Sequence, residues 1–347
     1  MTDAPAVCAS TDRPAHGGPF FELPPDPTAV EHRPYAIADA RRPPPDRRVD
    51  RRPAGTGDAT VPAAISVAAH PDPGAPMRAG AVDLEVEVHG DGEPVVFIHA
   101  GLCAYWFRDL CRQPALAGAY RLIRYHRAGY AGSARVDGPL SIAEQATHCH
   151  LLLRRLRVPR AHIVGHSSSA AIALQLALDH PGTVQTLSLL ETALLTVPSG
   201  PFAARAVQAY RAGDRHAAVD IWLRGVCGPD YRAALDRVLP GAVERAVADS
   251  DAFFAQELPA LRDWSFGPAA AARLRPPALV VLGARSDEVA PAFGQRHELL
   301  LTWLPNAEPF VLPGANHLLH VLNPAGMADR LARFFARHPV PVADRGP

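Results

Sequence analysis

From Val82 onward, polar and apolar positions alternate in "VDLEVEV", the period-two signature of a strand with one face in solvent. The turn "HGDGEP" follows, and "VVFIH" (95–99) is then apolar almost throughout, as a strand covered on both faces must be. Runs of the same kind recur at "YRLIRY" (120–125), "HIVGH" (162–166), "VQTLSLLE" (184–191), "PALVVLG" (277–283) and "EPFVLPG" (308–314). Between them the apolar period lengthens to that of a helix. The helical segments are "SIAEQATHCHLLLRRL", with Ser141 as N-cap and Glu144 three residues on, "SSAAIALQLALDH", stopped by Pro181, "AFGQRHELLLTWL" and "PAGMADRLARFFARH". Strands alternating with helices predict an α/β fold, a mostly parallel twisted sheet with helices on both faces. One stretch breaks the alternation. From about 197 to 275 there are helical stripes such as "AARAVQAYRAGDRHAAVDIWLRGV" and no strand runs, which predicts an all-helical lid inserted between two late strands.

Upstream of this region the periodicity vanishes. Fifteen of the 36 prolines fall within residues 1–80, where "RRPPPDRRVDRRP" sits among Ala, Asp and Gly. Such a segment cannot bury enough apolar surface to offset its ordering entropy, so a disordered Pro/Arg-rich tail over 1–80 is expected, with Met77 as an alternative start. A basic docking arm is the competing reading of the same composition. The folded domain is expected to span 81–340, and 341–347 to form a short flexible C-terminus.

Charge and composition narrow the function. Thirty-five basic residues balance 35 acidic ones, so no global field steers the chain to nucleic acid or to an anionic membrane. Every basic residue is arginine and none is lysine, a coding bias that discounts the arginine clusters as binding signals. The expected partner is a small hydrophobic molecule, and the chain is either a monomer or a homodimer. Five cysteines without a CxxC spacing imply neither a disulfide framework nor a zinc site. Neither a metal nor another cofactor is expected. No basic segment precedes an apolar run near the start, and no apolar stretch reaches the ~18 residues of a spanning helix. A cytoplasmic protein is the expectation.

The chemistry concentrates in "HIVGHSSSA" (162–170), which reads as strand, tight turn and helix. Gly165, Ser167 and Ser169 occupy the first, third and fifth places of a G-x-S-x-G nucleophile elbow, and the spacing selects Ser167. The central residue must take a strained backbone to lift its hydroxyl over the sheet, which demands small neighbours two before and two after. Ser169 stands where glycine is usual. The helix that starts at the nucleophile points its free N–H groups at the site, so the Ser168 amide is one candidate oxyanion donor.

Two further segments agree in order with this elbow: "YHRAGYAGSAR" (125–135), similar to an Asp-Arg-x-Gly-x-Gly-x-Ser loop with His126 in place of Asp, and "LPGANHLLHVLNPAGMADRLARFF", similar to a terminal Gly-x-x-His segment before a Pro-initiated helix. Together they resemble the α/β-hydrolase superfamily, in its lid-bearing, serine-nucleophile branch, over roughly 82–338. The resemblance implies a Ser-acid-His chain order, which makes His317 the base. It also implies a second oxyanion donor after the strand 95–99, where His99-Ala100-Gly101 resembles the family's His-Gly-x turn. Gly101 N–H is the candidate there, with Leu102 if the register slips.

Two carboxylates compete as the acid. Asp287 in "GARSDEVAP" matches the family's Asp-x-Val-x-Pro ending but lies one residue further from Gly283 than usual, leaving Ser286 at the expected place. Glu191, closing the strand 184–191, is the rival, as in haloalkane dehalogenases. Asp287 is the favoured acid and Glu191 the alternative. Tyr105, Trp106, His166, Trp222 and His320 are candidate substrate contacts, with packing as the competing role for His166 and His320. The lid aromatics Trp222, Phe253, Phe254, Trp264 and Phe266 either line an apolar pocket or hold the lid helices together.

A serine nucleophile implies hydrolysis of a small to medium hydrophobic ester, lactone or thioester through an acyl-enzyme, a carboxylic ester hydrolase. The same site repurposed as a cyclase, lyase or C–C bond hydrolase, or as a ligand-binding member without catalysis, is the alternative.

Overall fold

The structure, a computed structural model, describes residues 74–341; the expected tail before residue 74 and the last six residues lie outside the described part. Eight strands form one sheet: β1 (Ala75–Ala79), β2 (Val82–His89), β3 (Glu93–Ile98), β4 (Tyr120–Tyr125), β5 (Ala161–His166), β6 (Val184–Leu190), β7 (Ala278–Gly283) and β8 (Ala307–Leu312). Their order is β1-β2-β4-β3-β5-β6-β7-β8. The pairs β1–β2 and β2–β4 are antiparallel, and the rest of the sheet is parallel. This is the α/β architecture that the alternation of apolar runs implies.

The boundary expected at residue 80 needs correction. Residues 75–79 already belong to the sheet, pairing from Ala75↔Val86 to Ala79↔Val82, and Met77, considered above as a start, lies opposite Leu84 within β1. "APMRA" escapes a pattern search because it is short, lacks alternation and contains Pro76, which an edge strand tolerates where a central one would not.

Alternate residues of the central strands feed two separate cores, as the pleat requires. Val96 and Ile98 of β3 pack with the helices Ile142–Arg155 and Ser168–Asp179 on one face. Val95 and Phe97 pack with Phe107, Leu110 and the C-terminal helix Pro324–Ala336 on the other. The first of these helices begins at the expected capping box, Ser141 Oγ accepting from Glu144 N and the Glu144 carboxylate accepting from Ser141 N. Between β6 and β7 the chain is helical, with segments Phe202–Arg211, Arg215–Cys227, Tyr231–Val238, Ala242–Ala248, a π-helical turn Ala252–Glu257, and Leu258–Asp263. They share a third apolar core with Ala100, Leu102, Trp106 and Leu318 from the loops above the sheet. No helix among the described residues is long and apolar enough to cross a membrane.

The topology places the site. The chain leaves β3 for β4 on one side and reaches β5 on the other, so β3 and β5 flank the point where the strand order reverses. Loops at the carboxyl ends of strands diverge there and leave a crevice. The turn after β3 and the elbow after β5 face each other across it, beneath the helical insertion.

Candidate active site

Ser167 sits at φ 55°, ψ −118° between β5 and the helix Ser168–Asp179. A serine held at positive φ costs ~1–3 kcal/mol, and the surrounding contacts impose it. Ser167 N donates to Leu190 O at 2.8 Å, and Ser167 O accepts from Ala193 N at 3.1 Å. Gly165 is required: a Cβ there would lie 2.8 Å from Ser169 O and from the Ala170 Cα. Ser169, in the place of a glycine, turns its hydroxyl into a staple, donating to Ile98 O at 2.5 Å and accepting from His166 N at 2.9 Å. It ties the ends of β3 and β5 together.

His317 arrives from the loop after β8. Ser167 Oγ donates to His317 Nε2 at 3.1 Å, and His317 Nδ1 donates to Glu191 Oε2 at 2.5 Å. The carboxylate that meets the imidazole is therefore Glu191, and the preference for Asp287 is overturned. Asp287 instead accepts from Gly294 N at 2.8 Å, in an exposed position. Glu191 is 5% exposed, and its other oxygen accepts from Gly283 N at 2.6 Å and from Ser286 Oγ. Ser286 thus stands at the place where the sequence resemblance puts the acid, and its hydroxyl donates to Glu191, which arrives from the neighbouring strand end. The Phe293 ring stacks over His317, centroids 4.5 Å apart.

The turn after β3 approaches the elbow at Gly101. A Cβ there would lie 2.2 Å from the Phe253 ring, so only glycine fits. Gly101 N donates to Ser168 Oγ at 2.9 Å, so the Ser168 hydroxyl occupies one of the two expected oxyanion donors. His99 holds the turn in shape: Nε2 accepts from Arg127 N at 2.9 Å, which makes Nδ1 the protonated nitrogen that donates to Ala100 O at 2.8 Å. Burial, with Arg127 beside it, holds this imidazole well below the ordinary histidine pKa, so it stays neutral.

Next to this turn lies the loop that carries His126 where the resembled motif has Asp. His126 Nδ1 donates to Glu85 Oε2 at 2.7 Å, and that carboxylate also accepts from Gly74 N and Gly132 N. The hydrogen bond from His126, foremost, lowers the Glu85 pKa to about 2. Arg127 is buried and reaches Glu257 Oε2 at 2.7 Å and Gln145 Oε1 at 2.6 Å, while Tyr130 OH donates to the same Glu257 oxygen. Glu257 belongs to the π-helical turn, so an ion pair without solvent anchors the insertion to the loop over the sheet.

Ser167 and His317 open into a cavity of about 40 Å³. Trp106 and Trp222 line it as expected, with Phe253, Leu258, Phe293 and Arg296. The other candidate contacts lie elsewhere. Tyr105 faces His126 edge-on at 4.6 Å with Arg245 over its ring, in a separate small pocket. His166 is behind the base, donating from Nε2 to His317 O at 3.1 Å. His320 is fully buried, stacked on Phe107 at 4.4 Å, with no hydrogen-bond partner on either nitrogen. Phe254 stacks on Tyr210 within the helical insertion, and Trp264 stacks on Phe266 in the non-helical segment that follows Leu258–Asp263. Sequence reasoning missed Phe293, Arg296 and Glu257. Phe293 and Arg296 lie three apart on one helix, a spacing visible in the sequence, yet nothing local shows which face meets the site. Cys103, Cys111, Cys149 and Cys227 are buried free thiols, and no group of three or more His, Cys, Asp or Glu among the described residues is placed to hold a metal.

Comparison with known proteins agrees with this fold. A protein of Azorhizobium caulinodans named "Putative carbamate hydrolase RutD" is 34% identical over 114 residues, 32% of this chain and 42% of that protein. Its namesake in Klebsiella pneumoniae subsp. pneumoniae is 30% identical over 246 residues, 66% of this chain and 86% of that protein. The chain thus matches only about two fifths of the length of the first relatives it resembles. Among solved structures, a hydrolase from Pseudomonas aeruginosa PA01 superimposes with a TM-score of 0.63 at 26% identity, covering 75% of this chain and 97% of that one. The model of the alpha/beta hydrolase family matches residues 95–330, and the chain belongs to that family.

Proposed function

We propose that this chain is a serine hydrolase acting on a carbonyl substrate through an acyl-enzyme. The observation that carries the reading is the continuous line Ser167–His317–Glu191, with distances of 3.1 and 2.5 Å. His317 takes the Ser167 proton as the oxygen attacks, and Glu191 fixes the imidazole tautomer and stabilises its charged form. The oxyanion forms between the Ser168 and Gly101 amides, which the Ser168 hydroxyl must vacate at Gly101. As the intermediate collapses, the bond to the leaving group breaks and His317 gives it the proton; water, deprotonated by His317, then attacks the acyl-enzyme, and the acid leaves as the proton returns to Ser167. Esters, lactones and thioesters fit this chemistry, and so does the carbamate carbonyl in the relatives' name. The apolar lining favours a small to medium hydrophobic body.

A cavity of 40 Å³ holds no more than a few atoms, so the helical insertion acts as a lid that yields on substrate entry. The test is labelling with a fluorophosphonate followed by intact mass, on the wild type and on Ser167→Ala. One adduct that disappears in the variant is the expected result. A folded wild type that takes no label would end this reading in favour of a binding protein.

A further inference from the structure

The cavity has one charged wall. Arg296 is 5% exposed and lines the space shared by Ser167 and His317. It follows Phe293 by three positions on the helix Ala292–Trp303, and since the Phe293 ring covers His317, both side chains share the face toward the site. Among the described residues its side-chain hydrogen bonds go to uncharged acceptors, NH2 donating to Val197 O at 2.6 Å and to Ser199 Oγ at 2.8 Å, while Nε has no partner. The carboxylate that acts on it most, Glu191, is committed to His317, Gly283 and Ser286. Burial lowers the Arg296 pKa to about 10, which leaves it charged at neutral pH.

The other buried arginine shows what is missing. Arg127, equally enclosed, has Glu257 at 2.7 Å. A guanidinium taken out of water ordinarily finds such a partner, because its desolvation cost is otherwise uncompensated. Among the described residues no carboxylate pairs with Arg296, and the cavity it lines is walled also by Trp222, Leu258, Leu261 and Phe293. A lone cation in an apolar wall beside a nucleophile is a recognition element for an anion, and arginine's planar fork matches a carboxylate.

We propose that Arg296 selects substrates whose acyl part carries a carboxylate, so that the site hydrolyses half-esters of small dicarboxylic acids or the corresponding acidic lactones. This rests on the serine-hydrolase reading and narrows its substrate class. The hydrogen bonds to 197 and 199 also make Arg296 a clamp on the segment entering the insertion, and a clamp alone would serve all substrates alike.

The experiment compares kcat/KM of the full chain for monomethyl succinate and methyl butyrate, which differ in a terminal carboxylate against a methyl group, by following methanol release. The wild type should prefer the half-ester by about tenfold or more, and Arg296→Gln should lower that ratio by about the same factor, as loss of a charged hydrogen bond does. Arg296→Lys should recover part of the ratio. Equal losses on both esters, or a wild-type preference for methyl butyrate, would overturn the proposal. Fluorophosphonate labelling of Ser167 runs alongside. If Ser167 does not label and neither ester turns over, the hydrolase reading fails by itself, and calorimetry of both esters on the Ser167→Ala chain decides the role of Arg296. Tighter binding of the anion that Arg296→Gln abolishes supports the assignment; equal binding rejects it.

Discussion

The elbow and the acid position are two parts of one site, built on opposite principles. The elbow is contiguous: five residues from Gly165 to Ser169 carry the strained φ of Ser167, the close packing at Gly165 and the staple at Ser169 within one turn. The acid is assembled from two neighbouring strand ends, Glu191 after β6 and Ser286 after β7, which meet only because β6 and β7 pair in parallel, Leu190 opposite Val281. A motif made by local backbone geometry can be read along the chain. A position filled from either of two adjacent strands cannot, since both deliver a side chain to the same spot.

Exchanging the carboxylates gives the largest expected effect. Glu191→Gln should lower kcat by about 10⁴, the order that loss of an orienting carboxylate costs in other triads, whereas Asp287→Asn should stay within about twofold of wild type. Steady-state kinetics on both variants checks this, and the reverse ranking would mean that the acid is not the residue in contact. A sharper form restores the carboxylate from the other strand. Ser286→Asp in the Glu191→Gln background should regain roughly tenfold or more, because residue 286 faces the same carboxylate position. No recovery would show that the route from β6 cannot be replaced.

The loop after β8 poses the same problem with two histidines. His317 has partners on both nitrogens and His320 on neither. Burial, foremost, lowers the His320 pKa from 6.5 to about 3. The unfolded chain therefore takes up a proton below about pH 6.5 that the folded chain refuses until about pH 3, and stability falls as the pH drops through that window. His320→Leu should remove this loss, raising stability relative to wild type by about 2 kcal/mol at pH 5, measured by urea unfolding. An unchanged pH dependence would mean that His320 is not held neutral.

The smallest effect tests the elbow. Ser168→Ala frees the Gly101 amide from an internal acceptor, and kcat/KM should rise by about two- to tenfold, the worth of one neutral hydrogen bond. A fall of that size would instead make the hydroxyl a donor to the oxyanion.

Sequence by itself determined the sheet and the elbow turn that carries Ser167. Periodicity located β2 to β8 within about a residue or two, and missed only β1, whose proline and brevity leave no pattern to find. Spacing put Ser167 at the elbow, while the family resemblance pointed to His317 and to the Gly101 turn; the structure brings all three together. Only the tertiary structure decided which carboxylate meets His317, the cavity walls and the fate of the spare aromatic and basic residues. Trp222 faces the cavity while Trp264 packs on Phe266, and Arg127 finds Glu257 while Arg296 finds no acid among the described residues. The carboxylate at His317 and the partners of the two arginines rest on contacts between residues 92 to 150 positions apart, and no local preference of the chain encodes which of two chemically similar side chains will be brought to them.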